Sequence, residues 1–187
     1  FTVNINNTTA TGFPKGEYTD ETLFNIKGGG RNIKIYVDGT LWVAPYKPVT
    51  DENGNTVEGV LANPEGDIQI TADQGWDYFA ETVLDGESYA GKLVTLTNDI
   101  DFTGQTVNPV GFTGGTPKVF EGTFDGNGKT IKNINQQNLS GSYNQPVGLF
   151  SKVNNATFKN INLESFSMAT YGSEAGGIAT WATGDCT

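Results

Sequence analysis

The chain has 187 residues and carries 21 Asp and Glu against 11 Lys and Arg, which gives a formal net charge of −10 at pH 7. An acidic chain without a basic stripe opposes the counterion release that drives nucleic-acid binding, and anionic lipid surfaces repel it. His is absent, which excludes Ser-His-Asp and Cys-His nucleophiles and a His-ligated catalytic zinc. We therefore predict no nucleic-acid partner, and any catalysis would depend on carboxylates, Lys, Tyr or Ser.

The composition predicts a mainly β protein. The sequence has 25 Gly and only 17 % charged residues, a balance that favours strands and turns over long helices. No stretch approaches the roughly 20 apolar residues of a membrane helix, so we expect no membrane span in this chain. The sequence starts at Phe1, and its one cysteine, Cys186, cannot form an internal disulfide. We expect a secreted chain, with further repeats or domains of a longer parent chain as neighbours.

The N-terminal region carries strand and turn signals. Residues 33–37 alternate in polarity and lead through Asp38-Gly39 into a second β-rich segment. Asp-Gly in this setting is a strong signal for a two-residue hairpin. Asn53-Gly54 indicates another turn. These signals predict a small β-rich domain over residues 1–70, and the alternative is that the same residues form early repeats of the stack described below.

Three aromatic residues of this region form a candidate ligand-binding surface. Trp42 and Tyr46 follow the predicted hairpin, and Tyr36 could share a sheet face with Trp42. Aromatic rings combine a large apolar face with a polar edge, which suits stacking on a glycan or contact with a protein partner. The alternative interpretation is that Tyr36, Trp42 and Tyr46 fill the core of the small domain.

One α-helix is predicted, over residues 72–84. Thr71-Ala72-Asp73-Gln74 matches a capping box. In this motif the Thr hydroxyl accepts a hydrogen bond from a free backbone N–H of the first turn, and the Gln side chain accepts one from the backbone N–H of the Thr. Asp85-Gly86 provides a stop signal. The apolar residues recur at three- and four-residue steps, which predicts one buried face made of Trp76, Phe79, Ala80, Val83 and Leu84. Such a helix could cover the exposed first layer of a stack of strands.

Residues 130–135 and 157–162 are near copies, Thr-Ile-Lys-Asn-Ile-Asn and Thr-Phe-Lys-Asn-Ile-Asn. Two copies embedded in Gly, Asn, Thr and β-branched residues are typical of stacked repeats. Because one repeat cannot bury its own apolar residues, we predict that the C-terminal part is a solenoid of parallel strands. The simplest alignment of the copies places Ile131 directly over Phe158.

The order of several motifs resembles the GLUG-motif repeats of adhesin-like bacterial cell-surface proteins. The motifs lie in residues 76–80, 89–92, 96–102, 109–111, 120–131 and 148–150. The resemblance covers residues 71–187 and leaves 1–70 unexplained. It implies a right-handed parallel β-helix at the bacterial cell surface. Related repeats accompany some immunoglobulin-cleaving metallopeptidases, whose His-based zinc site this chain cannot build.

Acidic residues in the repeats raise two further hypotheses. Asp99 and Asp101 would point to the same side of an extended strand, near Glu121 or Asp125 of the next layer, and paired carboxylates are the minimum for glycoside hydrolysis. Residues 51–55 and 125–127 are rich in Asp, Asn and Gly but complete no EF-hand loop. Asp and Asn beside turns more often bond their own backbone.

The sequence as a whole favours a mainly β protein with a right-handed parallel β-helix, one capping helix and a β-rich N-terminal region. We predict a non-catalytic adhesin-like or scaffold protein at the cell surface, without metal or cofactor, whose partner is a glycan or a protein. The alternatives are a carboxylate-dependent polysaccharide-active enzyme on the same fold and a glycan-binding module.

Overall fold

The computed structural model describes residues 46–138, 145–170 and 174–187, together with the backbone of two strands nearer the N-terminus. The chain divides into two compact units, Phe1–Pro45 and Tyr46–Thr187. In the first unit, β1 (Gly16–Thr19) pairs antiparallel with β2 (Lys34–Val37). The hairpin predicted at Asp38-Gly39 lies outside the described residues.

The second unit begins with three antiparallel strands, β3 (Lys47–Thr50), β4 (Thr56–Ala62) and β5 (Ile68–Ile70). The turn predicted at Asn53-Gly54 joins β3 to β4 and is confirmed. Gly54 has φ +82°, and its N–H donates to the Asp51 carbonyl oxygen at 3.0 Å. Glycine suits this position because the left-handed region carries no Cβ penalty there.

The boundary between the units differs from the one predicted at residue 70. β5 pairs in parallel with β6 (Leu93–Leu96), so that Ile68 lies opposite Val94 and Ile70 opposite Leu96. All four side chains are buried in one core. Because this pairing joins them to the repeats, residues 46–70 belong to the second unit. The small β-rich domain was predicted for residues 1–70, and only Phe1–Pro45 form a unit separate from the repeats.

The helix α1 spans Asp73–Leu84, close to its predicted range, and ends before Gly86 at φ +111°. Trp76, Phe79 and Val83 are buried on its predicted face. The capping box is wrong, because the N-cap is Ala72 and no side chain caps the helix. The Thr71 N–H instead donates to the Gly59 carbonyl oxygen at 2.7 Å, which commits Thr71 to the end of the sheet.

The remaining strands are short and come in a repeating order. They are β7 (Ile100–Asp101), β8 (Val119–Phe120), β9 (Thr123–Asp125), β10 (Thr130–Lys132), β11 (Asn135–Asn138), β12 (Phe150–Asn154), β13 (Thr157–Lys159), β14 (Asn162–Glu164), β15 (Ser167–Thr170) and β16 (Ala179–Thr183). Consecutive strands join different sheets, and each strand pairs in parallel with its counterpart in a neighbouring repeat.

In the described part of the chain, the parallel pairs form four ladders. In strand order these are β5-β6-β9-β13, β7-β10-β14, β11-β15 and β8-β12-β16. Equivalent side chains therefore lie above one another, as in the column in which the buried Phe124 stands between the buried Val94 and the half-buried Phe158. The described part of the chain is thus mainly β with a single helix.

The predicted alignment of the two near copies is wrong. Ile131 on β10 pairs with Ile100 and Leu163, whereas Phe158 on β13 pairs with Phe124. The copies thus occupy neighbouring ladders. Their likeness reflects a shared corner, because Asn133 and Asn160 occupy the left-handed region, with φ 59° and 54°, and Asn tolerates that region better than most residues.

The corners recur at regular steps in the last complete repeat. Asn155, Asn160 and Ser165 have φ values of 50°, 54° and 55° and separate β12, β13, β14 and β15. Each is followed by an apolar residue, of which Ala156 is fully buried. A polar left-handed residue followed by an inward-facing apolar one therefore turns the chain from one ladder to the next.

Aromatic rings of α1 enter the core between the ladders. The Trp76 ring lies 5.8 Å from Phe79, 6.0 Å from Phe102 and 5.8 Å from Phe124, centroid to centroid and close to edge-on in each case. Edge-to-face pairs of this kind contribute about 0.5–1.5 kcal/mol beyond the burial of their area. Trp76 also lies 6.3 Å from Phe150 of β12, so the helix is anchored to β9 and β12, strands of two different repeats.

Candidate functional site

The predicted aromatic surface is covered only in part by the described residues. Tyr36 lies on β2, where the backbone alone is described, and Trp42 lies outside the described residues. Tyr46 is half-buried at the start of the second unit. Burial raises its pKa, and the carboxylates of Asp67 and Glu65 act in the same direction. A shared binding surface of these three residues remains a prediction.

The acids proposed as a hydrolytic pair instead support the backbone and the adjacent repeat. Asp99 accepts a hydrogen bond from the Thr130 N–H at 2.9 Å and lies 3.6 Å from the Lys132 ammonium. Asp101 accepts a hydrogen bond from the Asn133 side-chain amide at 2.8 Å. It also accepts hydrogen bonds from the N–H and the hydroxyl of Thr103. These bonds lower both pKa values, led by the Thr130 N–H for Asp99 and by the Asn133 amide for Asp101.

The same arrangement repeats along the chain. The Asn154 amide donates to Glu121 at 2.8 Å, and the Asn160 amide donates to Asp125 at 3.0 Å. The Asn154 bond lowers the pKa of Glu121. For Asp125, desolvation raises the pKa, but the bonds from Asn160 and other neighbours outweigh it and leave the pKa lowered.

We call these three pairs the acid–amide ladder; its members are Asp101 with Asn133, Glu121 with Asn154, and Asp125 with Asn160. Carboxylates that accept several hydrogen bonds are held ionised. An acid held in that state is poorly suited to protonate a leaving group, which is the task of a glycosidase general acid.

In the two Asp- and Asn-rich turns, the carboxylates accept hydrogen bonds from backbone N–H groups of the same turn. Asp51 accepts the N–H groups of Asn53 and Asn55 at 2.9 and 2.8 Å, and Asp125 accepts the N–H of Asn127 at 2.8 Å. Among the described residues, no group of three or more Asp, Glu and Cys is arranged to hold a metal ion.

A cleft that the sequence did not indicate lies beside β11. It has a volume of about 110 Å³ and is lined by residues 106–109, 112–113, 135–137 and 145–147. We call it the amide cleft. Gln136 is only 5 % exposed, and its Oε1 accepts the Gly148 N–H at 2.7 Å. Its Nε2 is buried without a hydrogen-bond partner.

The amide cleft is polar but uncharged. Asn, Gln and Thr side chains line it together with the buried Val107 and Phe112, and none of its described lining residues carries a charge. A composition signal does exist in the sequence, because β11 reads Asn-Gln-Gln-Asn where β-branched or aromatic residues are usual. The sequence could not predict that the loop of residues 106–113 lies against this strand.

A second cleft of about 180 Å³ shares residues 106–109 and 112–113 with the first. Its other side is the helix α1, including Asp77 and Glu81. Partial desolvation raises the pKa of the exposed Asp77, and the neighbouring Asp73 and Glu81 add to the shift. Trp76 also lines this cleft, and its indole N–H is buried without an acceptor.

No helix in the described part of the chain has the length and apolar character needed to cross a bilayer. Comparison of the sequence with protein-family models and curated proteins, and of the fold with solved structures, found no match.

Proposed function

We propose that the chain is a non-catalytic, adhesin-like or scaffold protein of the bacterial cell surface, built on a right-handed parallel β-helix of the GLUG-repeat kind. The four parallel ladders and the regularly spaced left-handed corners support a coil of this type. Right-handedness follows the strong preference of parallel strand connections, about 98 % of which have that hand. In this arrangement α1 covers one end of the coil.

The observation that carries the non-catalytic assignment is the acid–amide ladder. Its acids accept hydrogen bonds from residues of the following repeat, and their pKa values are lowered. They therefore stabilise the stack in their charged form. A stack of repeats with an acidic, polar surface suits the display of binding sites for glycans or proteins outside the cell.

Binding and hydrolysis can be separated in one experiment. The purified chain is incubated with immobilised polysaccharides and host glycoproteins, and retained protein and newly formed reducing ends are both measured. We expect retention on some of these surfaces without new reducing ends, and the same retention for Asp99→Asn. Reducing ends formed by the wild type and lost in Asp99→Asn would overturn the proposal.

One observation favours a second candidate, a carboxylate-dependent polysaccharide-active enzyme. Asp77 has a raised pKa and lines a cleft together with Glu81, and a raised carboxyl pKa is the property a general acid needs. Asp77 is nevertheless exposed to solvent, so we rank this function second. Release of reducing ends that is lost in Asp77→Asn but kept in Asp99→Asn would establish it.

A further inference from the structure

Gln136, a buried residue of the amide-cleft lining, carries a hydrogen-bond donor without an acceptor. Gln136 is held by the bond from the Gly148 N–H to its Oε1, which directs its Nε2 away from that bond. This nitrogen is buried and has no partner. Buried amides are nearly always satisfied by protein, water or ligand, so an amide without a partner in the chain needs an acceptor from outside it.

The chemistry of the walls restricts what that acceptor can belong to. The exposed amides and hydroxyls of Asn108, Thr113 and Gln137 can each donate and accept hydrogen bonds. No described lining residue is charged, so a phosphate, a carboxylate or an ammonium group would find no counter-charge. A ligand with several neighbouring hydroxyl groups matches these donors and acceptors.

Apolar surface between the polar groups fits the same ligand. Phe112, Pro109 and Pro146 are buried residues of the lining, and the small part of each side chain that reaches the cleft is carbon, which suits the C–H face of a sugar ring. The volume of about 110 Å³ is below the roughly 300–1,000 Å³ of sites that enclose a drug-sized ligand. The cleft therefore suits a single ring of a larger chain.

We propose that the amide cleft binds one pyranose ring of a neutral oligosaccharide and that the Gln136 Nε2 donates a hydrogen bond to one of its hydroxyl oxygens. This inference rests on the proposed function and names the class of ligand that it recognises. The nitrogen is covered by neighbouring atoms, so binding includes a small rearrangement of the side chains around Gln136, as is common at binding surfaces.

The test is a titration of the whole chain with cellohexaose, maltohexaose and laminarihexaose, followed by amide NMR. We expect at least one of these to shift the backbone signal of Gly148, the side-chain amide of Gln136 and signals of residues 106–113. The substitution Gln136→Glu keeps an oxygen for the Gly148 N–H but replaces the donor, and it should weaken binding about tenfold. Gln74→Glu, the same change at an exposed position of α1, should bind like the wild type.

A second variant covers the case in which a carboxylate at position 136 prevents folding. Asn108→Ala combined with Thr113→Ala alters only exposed walls of the cleft and should also weaken binding while leaving the melting temperature unchanged. The inference is overturned if none of the three sugars shifts these signals at millimolar concentration, if the shifts map elsewhere, or if the wall variant binds normally.

The two levels of the proposal fail in different ways. If immobilised polysaccharides still retain the wall variant without hydrolysis, the proposed function stands and the amide cleft is not the site. If reducing ends are released, the non-catalytic function fails whatever the cleft binds.

Discussion

At the scale of single residues, the left-handed corner and the acid–amide ladder meet in Asn160. Its φ is 54°, and its amide donates to Asp125 on the preceding repeat at 3.0 Å. One residue thus both adopts the left-handed conformation of the corner and donates a hydrogen bond to the preceding repeat. The Asn- and Thr-rich composition was visible in the sequence, but periodicity alone could not tell corner residues from strand residues.

Substitution at Asn160 should separate these two contributions. Asn160→Ala loses the bond and places an alanine in the left-handed region, so we expect a loss of about 2 kcal/mol in the free energy of unfolding, measured in urea. Asn160→Gly loses the bond but relieves the backbone, and about half that loss is expected. Equal losses in the two variants would show that the corner conformation contributes nothing.

Stability should fall in acid because several folded-state pKa values are lowered. The pKa values of Asp99, Asp101, Glu121 and Asp125 all lie below their ordinary values. Such groups add stability that is present above the unfolded pKa, about 3.9 for Asp and 4.3 for Glu, and that is lost as the pH falls through the lower folded pKa.

Unfolding in urea at a series of pH values from 6 down to about 2 tests this directly. We expect the free energy of unfolding to fall steadily below pH 5, and to fall less steeply in Asp101→Asn, which removes one of the titrating groups. A wild-type free energy of unfolding that stays constant down to pH 3 would contradict the stabilising role assigned to the acid–amide ladder.

At the scale of elements, the seat of α1 depends on a close approach of two glycines. A Cβ on Gly75 would collide with the carbonyl oxygen of Gly59 on β4. The helix range and its buried face were predictable from the spacing of Trp76, Phe79 and Val83. The cap was not, because Thr71 is drawn into a backbone bond with Gly59 that only the folded sheet provides.

Gly75→Ala should therefore destabilise the protein, although Gly→Ala in a helix normally stabilises it by up to about 1 kcal/mol. We expect a net loss of about 1–3 kcal/mol from the forced separation of α1 and β4, measured by thermal and urea unfolding. Gln74→Ala, at the adjacent exposed position, is the control and should change stability little. A more stable Gly75→Ala would show that the helix can move away from β4 without cost.

At the scale of the whole molecule, the sequence predicted stacked parallel strands. It predicted neither which residues pair between the strands nor that β5 is the first strand of the stack. The near copies at Thr130 and Thr157 suggested direct stacking, yet corner chemistry repeats within a layer as well as between layers, so likeness of sequence did not identify the paired strands. The amide cleft was out of reach for a related reason. It depends on the loop of residues 106–113 lying against β11, a contact that no local pattern encodes.

The position of β5 beneath β6 makes a prediction about where the chain can be shortened. A chain of residues 46–187 should keep the melting temperature of its cooperative transition, because the described core of that unit is continuous from β3–β5 into the repeats. A chain of residues 71–187 leaves Val94 and Leu96 without their paired neighbours Ile68 and Ile70. It should melt lower by roughly 10 °C, measured by circular dichroism. Equal melting of the two chains would contradict the placement of residues 46–70 in the core.

Apart from residues 135–137 of β11, the amide cleft is lined by two segments that lie outside the named strands, within residues 106–113 and 145–147. Their length and side chains can vary while the hydrogen-bonded register of the ladders stays the same. In a protein assembled this way, affinity for a new partner can evolve by changes in two neighbouring loops. These changes leave the paired strands, and therefore the fold, intact.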